Sequence, residues 1–169
     1  MTSVTNALGL VTRYQYDEAG NQTNQIDALN RTNLFAYDGQ GRRIAHSLPG
    51  GQTETFGYDL NGNLLYQTNF NGAVVTNLYD AMKRLTNKAS VFGYHVSFAH
   101  SPTGQRANMV DPSGSTAYLY DSRDRLTNKF VTFTGGPGVT LSYGYDVNGN
   151  VTTIASSTAG GVTAIRVRP

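Results

Sequence analysis

The sequence predicts an all-β fold of repetitive antiparallel β-hairpins forming a curled or spiralling single-layer sheet. Three observations carry this expectation. A Tyr-Asp pair recurs about every 21 residues, each copy leads into turn chemistry, and the residues between copies alternate with the period of two that a strand imposes. Charged residues are 14% of the chain, where ordinary soluble domains carry about 25%, and the scarcity of Glu and Lys leaves little for amphipathic helices.

The clearest copy of the repeat is Tyr58-Asp59-Leu60-Asn61-Gly62-Asn63. It returns at Tyr16-Asp17 with Gly20, Tyr37-Asp38 with Gly41, and Tyr145-Asp146 with Gly149. Two copies, Tyr79-Asp80 and Tyr120-Asp121, carry Lys83 and Asp124 in the glycine slot. A seventh, His100-Ser101-Pro102-Thr103-Gly104, has lost both signature residues. The steps between first positions are 21, 21, 21, 21, 20 and 25. The aspartate can accept hydrogen bonds from the backbone two residues on, and glycine at the turn's end supplies the positive φ that a hairpin with a G1 bulge requires.

A second turn alternates with the first. Asn6-Ala7-Leu8-Gly9 lies 21 residues before Asp27-Ala28-Leu29-Asn30, and the slot returns in register at Asp111-Pro112-Ser113-Gly114. Pro49-Gly50-Gly51, Asn71-Gly72 and Gly135-Gly136-Pro137-Gly138 fill it elsewhere, the last absorbing the long step of 25. Each repeat therefore reads strand, turn, strand, turn, for about 14 strands of five or six residues. Alternation places the repeat tyrosines on one face with Tyr14, Phe35, Phe56, Phe98, Tyr118 and Tyr143, so stacked repeats line up two aromatic columns.

The domain expected is one array over residues 1–169, about seven repeats of ~21 residues, incomplete at both ends. It begins in mid-repeat, and the next Tyr-Asp pair, due near residue 166, is replaced by Ala164-Ile165-Arg166-Val167-Arg168-Pro169. A net charge of +2 with scattered basic residues argues against nucleic acid as a partner. No apolar run approaches the ~20 residues of a membrane span, so no membrane insertion is expected, and there is no signal-peptide pattern. The chain has no cysteine, which removes disulfides and thiolate metal sites.

The Tyr-Asp-x-x-Gly-Asn/Arg phrase at this period, seven times in register, resembles the YD repeat of the RHS (rearrangement hot spot) family, related to the repeats of teneurins. The resemblance covers essentially the whole chain. It implies hairpins joined side by side into a long sheet that spirals into a hollow shell. It also implies a bacterial, secreted or cell-surface protein whose shell encloses a C-terminal polypeptide, often a toxin. The partners implied are the remaining repeats of the same shell and that polypeptide. The family's self-cleaving aspartyl protease motif contains Asp-Pro, but the flanks of Asp111-Pro112 do not match it, and Asp111 falls in register with Asp27.

No catalytic, cofactor-binding or metal site is expected, and no cofactor. Six of the nine aspartates open the first turn, Asp27 and Asp111 open the second, and Asp124 stands in the glycine slot. A paired acid–base site needs two carboxylates in unlike environments, whereas repetition gives these near-identical ones. Glu18 lies in a turn, Glu54 on a strand without a repeated partner, and His46, His95 and His100 have no ligand spacing. The chain thus reads as a non-enzymatic structural segment of an RHS-type shell. The alternative is a cell-surface adhesion module that binds glycans or proteins through exposed aromatics such as Tyr66 and Tyr94 together with its asparagines.

Overall fold

A computed structural model describes residues 1–158 and 161–166, with side chains described through residue 158. The end of the chain, 167–169, with Arg168 and most of the stretch that stands where a further Tyr-Asp pair is due, lies outside the described residues. Every regular element is a strand, and the described residues contain no helix. The strands are β1 (Thr2–Thr5), β2 (Val11–Tyr16), β3 (Gln22–Ile26), β4 (Thr32–Tyr37), β5 (Arg43–Ser47), β6 (Thr53–Tyr58), β7 (Leu64–Thr68) and β8 (Val74–Tyr79). They continue with β9 (Leu85–Ser90), β10 (His95–His100), β11 (Arg106–Asp111), β12 (Gly114–Tyr120), β13 (Leu126–Phe133), β14 (Val139–Tyr145), β15 (Val151–Thr158) and β16 (Gly161–Arg166). The all-β hairpin architecture is therefore the one the repeat predicts. Among the described residues there are sixteen strands rather than about fourteen, because the half-repeats at either end also form strands.

Two compact units divide the chain, Met1–Asn77 with Ser90–Phe92, and Leu78–Ala89 with Gly93–Pro169. In the first, each strand from β1 to β8 pairs antiparallel with its neighbour in sequence. In the second, β9 to β16 do the same. Each unit is a meander whose contacts run between sequential neighbours, which is what short turns on every strand dictate.

With no second layer above either face, very little is buried. Ala73 and Val96 are the buried hydrophobic residues and Asn77 and Thr116 the buried polar ones, among those described. Stability must then come from cross-strand side-chain pairs and from hydrogen bonds, not from a packed interior. One such pair is Gly57 opposite Tyr66. The Tyr66 ring lies across the glycine where a Cβ would otherwise sit, so this aromatic covers bare backbone even though it is half exposed.

The six hairpins with a resolved first-turn ladder share a second irregularity that the repeat did not announce. Tyr37 pairs with Arg43 while Ala36 pairs with Ala45, leaving Ile44 unpaired; the same shift occurs at Tyr16, Tyr58, His100, Tyr120 and Tyr145. An extra residue in the return strand bends it and increases its twist. The bulge sits beside Tyr16, Tyr37, Tyr58, Tyr120 and Tyr145, and it bears on what those tyrosines bind.

Candidate functional site: the clasped turns

The signature residues come together at the first turn of each repeat. In every copy the backbone closes in the same way. The N–H of Asp59 donates to the carbonyl of Asn63 (3.0 Å), and the N–H of Gly62 donates to the carbonyl of Asp59 (3.1 Å). Asp17, Asp38, Asp80, Asp121 and Asp146 repeat both bonds, and so does Ser101 of the degenerate copy. Lys83 and Asp124 adopt φ of 62° and 58°, taking the left-handed conformation that glycine supplies in the other copies.

The aspartate side chain then locks the loop. Oδ1 of Asp38 accepts the backbone N–H of Gln40 (2.9 Å) and of Arg42 (3.0 Å), while Oδ2 accepts Nε of Arg42 (2.7 Å). Where the fourth residue after the aspartate is Asn, its amide replaces the guanidinium: Nδ2 of Asn63 reaches Oδ2 of Asp59 at 2.7 Å. Asn21 and Asn150 do likewise at 2.9 Å. Both oxygens of these carboxylates are thus engaged by short local bonds. For Asp121 and Asp146 the side-chain bond from Arg125 or Asn150 does most to hold the carboxyl below its ordinary value, followed by the backbone bonds. For Asp80 the backbone N–H of Arg84 leads; for Asp38 partial desolvation acts upward but hydrogen bonds from Arg42 outweigh it.

The second turns use the same device. Oδ1 of Asn6, Asp27 and Asn69 each accepts two backbone N–H groups, two and four residues on. Asp111 departs from this pattern despite its register with Asp27. It pairs directly with Gly114 across a two-residue turn, Pro112-Ser113, and its Oδ1 accepts the Ser113 N–H at 2.7 Å. Proline after the aspartate and glycine two residues later favour this tighter reversal.

Two further sets of bonds join one repeat to the next. The hydroxyl of Tyr37 donates to the Gln22 carbonyl (3.0 Å), Tyr58 to Arg43 (3.0 Å), Tyr120 to Arg106 (3.0 Å) and Tyr145 to Leu126 (2.8 Å). Each acceptor is the first described residue of the preceding return strand, beside the bulge, where the ladder is disrupted. Arginine reaches the other way. Arg42 donates Nη1 to the Asp59 carbonyl (3.0 Å) and lies 4.7 Å above the Tyr58 ring, and Arg125 repeats this with Asp146 (3.3 Å) and Tyr145 (4.6 Å). Arg84 reaches the Ser101 carbonyl (3.0 Å), where the next copy has no tyrosine.

Along the chain the residue four after the signature aspartate runs Asn21, Arg42, Asn63, Arg84, Gln105, Arg125, Asn150. Arginine therefore occupies alternate copies and alone adds a forward link. The alternation is visible in the sequence, but its purpose depends on the reach of a guanidinium between turns. Arg125→Ala should lower stability by about 2 kcal/mol, through one charged hydrogen bond and one cation–π contact, while Asn150→Ala should cost about half as much. Equal effects in urea melts would contradict a forward link.

The degenerate copy shows what the tyrosine supplies. Spacing places the Leu85 carbonyl where a tyrosine at position 100 would donate, and instead Nδ1 of His100 is shielded without a hydrogen-bond partner, as is Oδ1 of Asn108. Restoring the tyrosine, His100→Tyr, should stabilise the chain by about 1 kcal/mol and raise its melting temperature by about 2–4 °C. An unchanged or lower melting temperature would contradict the stitching role.

Other titratable groups do not converge on a reaction centre. His46 bonds Glu54 through Nδ1 (3.1 Å), stacks on Phe35 (4.6 Å between centroids) and approaches Asn33 (3.4 Å). Glu54 also receives Gln67 (3.4 Å). This row crosses β4 to β7 as a closed polar network, a feature the absence of any repeat of Glu54 left unread. Among the described residues no three His, Asp or Glu side chains are placed to hold a metal ion. The surface grooves are shallow; one of about 340 Å³ runs between successive second turns and is lined by Val4, Leu10, Ala28 and Leu29.

Against known proteins, the RHS Repeat family model matches residues 1–32 and 37–74. No curated protein sequence matches the chain. Among solved structures, the TcdB2-TccC3 complex superposes with a TM-score of 0.76 at 17% identity, covering 93% of this chain and 10% of that one. The same complex without its hypervariable C-terminal region gives the same values. A Photorhabdus luminescens Tc holotoxin pore carrying a TccC3 variant matches with a TM-score of 0.76 at 18% identity, over 93% of this chain and 9% of that one. The chain thus spans about a tenth of the structures it resembles.

Proposed function

We propose that this chain, whose residues 1–32 and 37–74 match the RHS Repeat family model, is a structural segment of an RHS-type β-shell that encloses a C-terminal polypeptide, often a toxin, and has no catalysis of its own. The observation that carries this reading is how the signature residues are used. The turn carboxylates, the tyrosine hydroxyls and alternate arginines all bond within a turn or to the adjoining repeat. Such chemistry holds a long sheet together, and the turn carboxylates spend two or three acceptor sites on local N–H groups. Similarity to the TcdB2-TccC3 complex, which has a hypervariable C-terminal region, supports a constant shell around a changeable polypeptide. By the same reasoning the protein is bacterial and secreted or displayed at the cell surface, and its partners are the neighbouring repeats and the enclosed polypeptide.

Limited proteolysis of the longest polypeptide that carries these repeats tests the proposal. The segment C-terminal to the shell should resist a protease that digests it when expressed alone. Equal rates of digestion would rule enclosure out. The adhesion reading draws on exposed Tyr66 and Tyr94, but the seat of Tyr66 across Gly57 gives that ring a structural role.

A further inference from the structure

We infer that the aromatic face of the second unit is the docking surface for an acidic segment of the polypeptide the shell encloses. The inference rests on the shell reading and adds the chemistry of the contact and the face that makes it.

The strand register fixes which side chains share this face, because directly paired residues point the same way. Lys88 pairs with Val96, Phe98 with Met109, Met109 with Thr116, Tyr118 with Lys129, and Lys129 with Leu141. Arg106 joins them, paired with His100 and placed 4.7 Å over the Phe98 ring. One continuous surface therefore presents Lys88, Arg106 and Lys129 between Phe98, Tyr118 and Tyr143. Lys88 and Arg106 are exposed and Lys129 is half-buried.

The charge on this face is one-sided. Across β9 to β15 the strands carry a single carboxylate, Asp111, which lies at the second-turn margin and is engaged by Ser113. At the opposite margin, Asp80 and Asp121 are paired with Arg84 and Arg125, Asp146 is bonded by the neutral Asn150 amide, and Asp124 is exposed. Lys88, Arg106 and Lys129 make no ion pair in the described structure. The first unit differs on its corresponding face, where Gln25, Asn33, His46, Glu54 and Gln67 occupy the central row and Glu54 faces both His46 and Arg43.

The spacing suits a polypeptide. Arg106 on β11 and Lys129 on β13 are nearly level and two strands, about 10 Å, apart, while Lys88 on β9 faces Val96 and is offset from them along the strands by about 13 Å. An extended chain crossing the strands advances about 3.3 Å per residue, which brings carboxylates three residues apart over Arg106 and Lys129, with Lys88 to one side of that line. The aromatic rings between the cations supply apolar contact for the intervening residues. Such a surface binds weakly and reversibly.

The test uses the full 169-residue chain and a fluorescent peptide of about twelve residues with glutamate at every third position and leucine or serine between, matched to the spacing above. We expect saturable binding that weakens with salt and falls at least tenfold for Lys88→Glu combined with Lys129→Glu. Circular dichroism and thermal melts must first show that the double variant is folded; Arg106→Glu gives an independent variant with the same expected loss. No binding at millimolar peptide, or binding unchanged in folded variants, would overturn the inference. Tighter binding of an oligothymidylate than of the peptide would also overturn it, in favour of a nucleic-acid surface. Peptide binding alongside protease-open C-terminal segments would support the surface while sinking enclosure, so the two proposals fail separately.

Discussion

Gly114→Ala should destabilise the second unit by about 3 kcal/mol, the largest effect expected of any single substitution discussed. Gly114 closes the two-residue turn after Asp111 and pairs on its other side with Phe133. Its φ of +150° is one that L-residues rarely adopt, and a Cβ there would run into the Thr132 carbonyl oxygen. The obstacle is backbone, so it cannot rotate away, and the Thr134 N–H bond to the Ser113 carbonyl (2.8 Å) holds the two segments together. Gly149→Ala is the control. It too requires positive φ, but a Cβ there meets open space, so only the conformational cost of about 1 kcal/mol applies. Urea denaturation of both variants separates strain from collision, and equal losses would show that the close approach at Gly114 does not matter.

Acid should unfold the protein steeply below about pH 4, because its clasps share one chemistry. Asp17, Asp27, Asp38, Asp80, Asp111, Asp121 and Asp146 all have carboxyls held below their ordinary value by hydrogen bonds from turn backbone and from Asn, Arg or Ser side chains. A carboxyl whose folded value is depressed contributes stability that is present above the unfolded value and lost as pH falls through the folded one. Unfolding in that window must therefore take up protons, as many as seven if every one of these clasps opens. The melting temperature should be nearly flat from pH 5 to 7 and drop below about 4. Asp38→Asn should flatten the drop while lowering stability at neutral pH, since an amide oxygen accepts the two backbone bonds but pairs poorly with Arg42. A melting temperature independent of pH down to 3 would contradict the clasp.

Much of this was legible because the repeat states its answer several times. The Tyr-Asp spacing gave the hairpins, Asp followed by Gly gave the turn, and the glycine slot correctly marked Lys83 and Asp124 as left-handed residues. The bond from aspartate to the backbone two residues on is present as expected at Asp59 (2.9 Å to Asn61). Periodicity locates a side chain but does not say how far it reaches. The tyrosines were read as packing columns, whereas their hydroxyls also bind the preceding repeat. The Asn/Arg position closes the clasp, and its arginine copies link forward to the next turn. The tight turn at Asp111 is hidden by perfect register, and the turn ending at Gly93 is masked by its apolar Val91-Phe92 centre, although Ser90 opens it and its Oγ accepts the Phe92 N–H (3.3 Å).

The central claim is that these repeats form a passive wall around another part of the polypeptide. Electron cryomicroscopy of the longest polypeptide that carries them measures this directly. The account predicts a closed shell in which residues 1–158 form part of the wall, with additional density inside against the face bearing Lys88, Arg106 and Lys129. An open sheet with no enclosed density, or a small ligand held among the turn carboxylates, would contradict it.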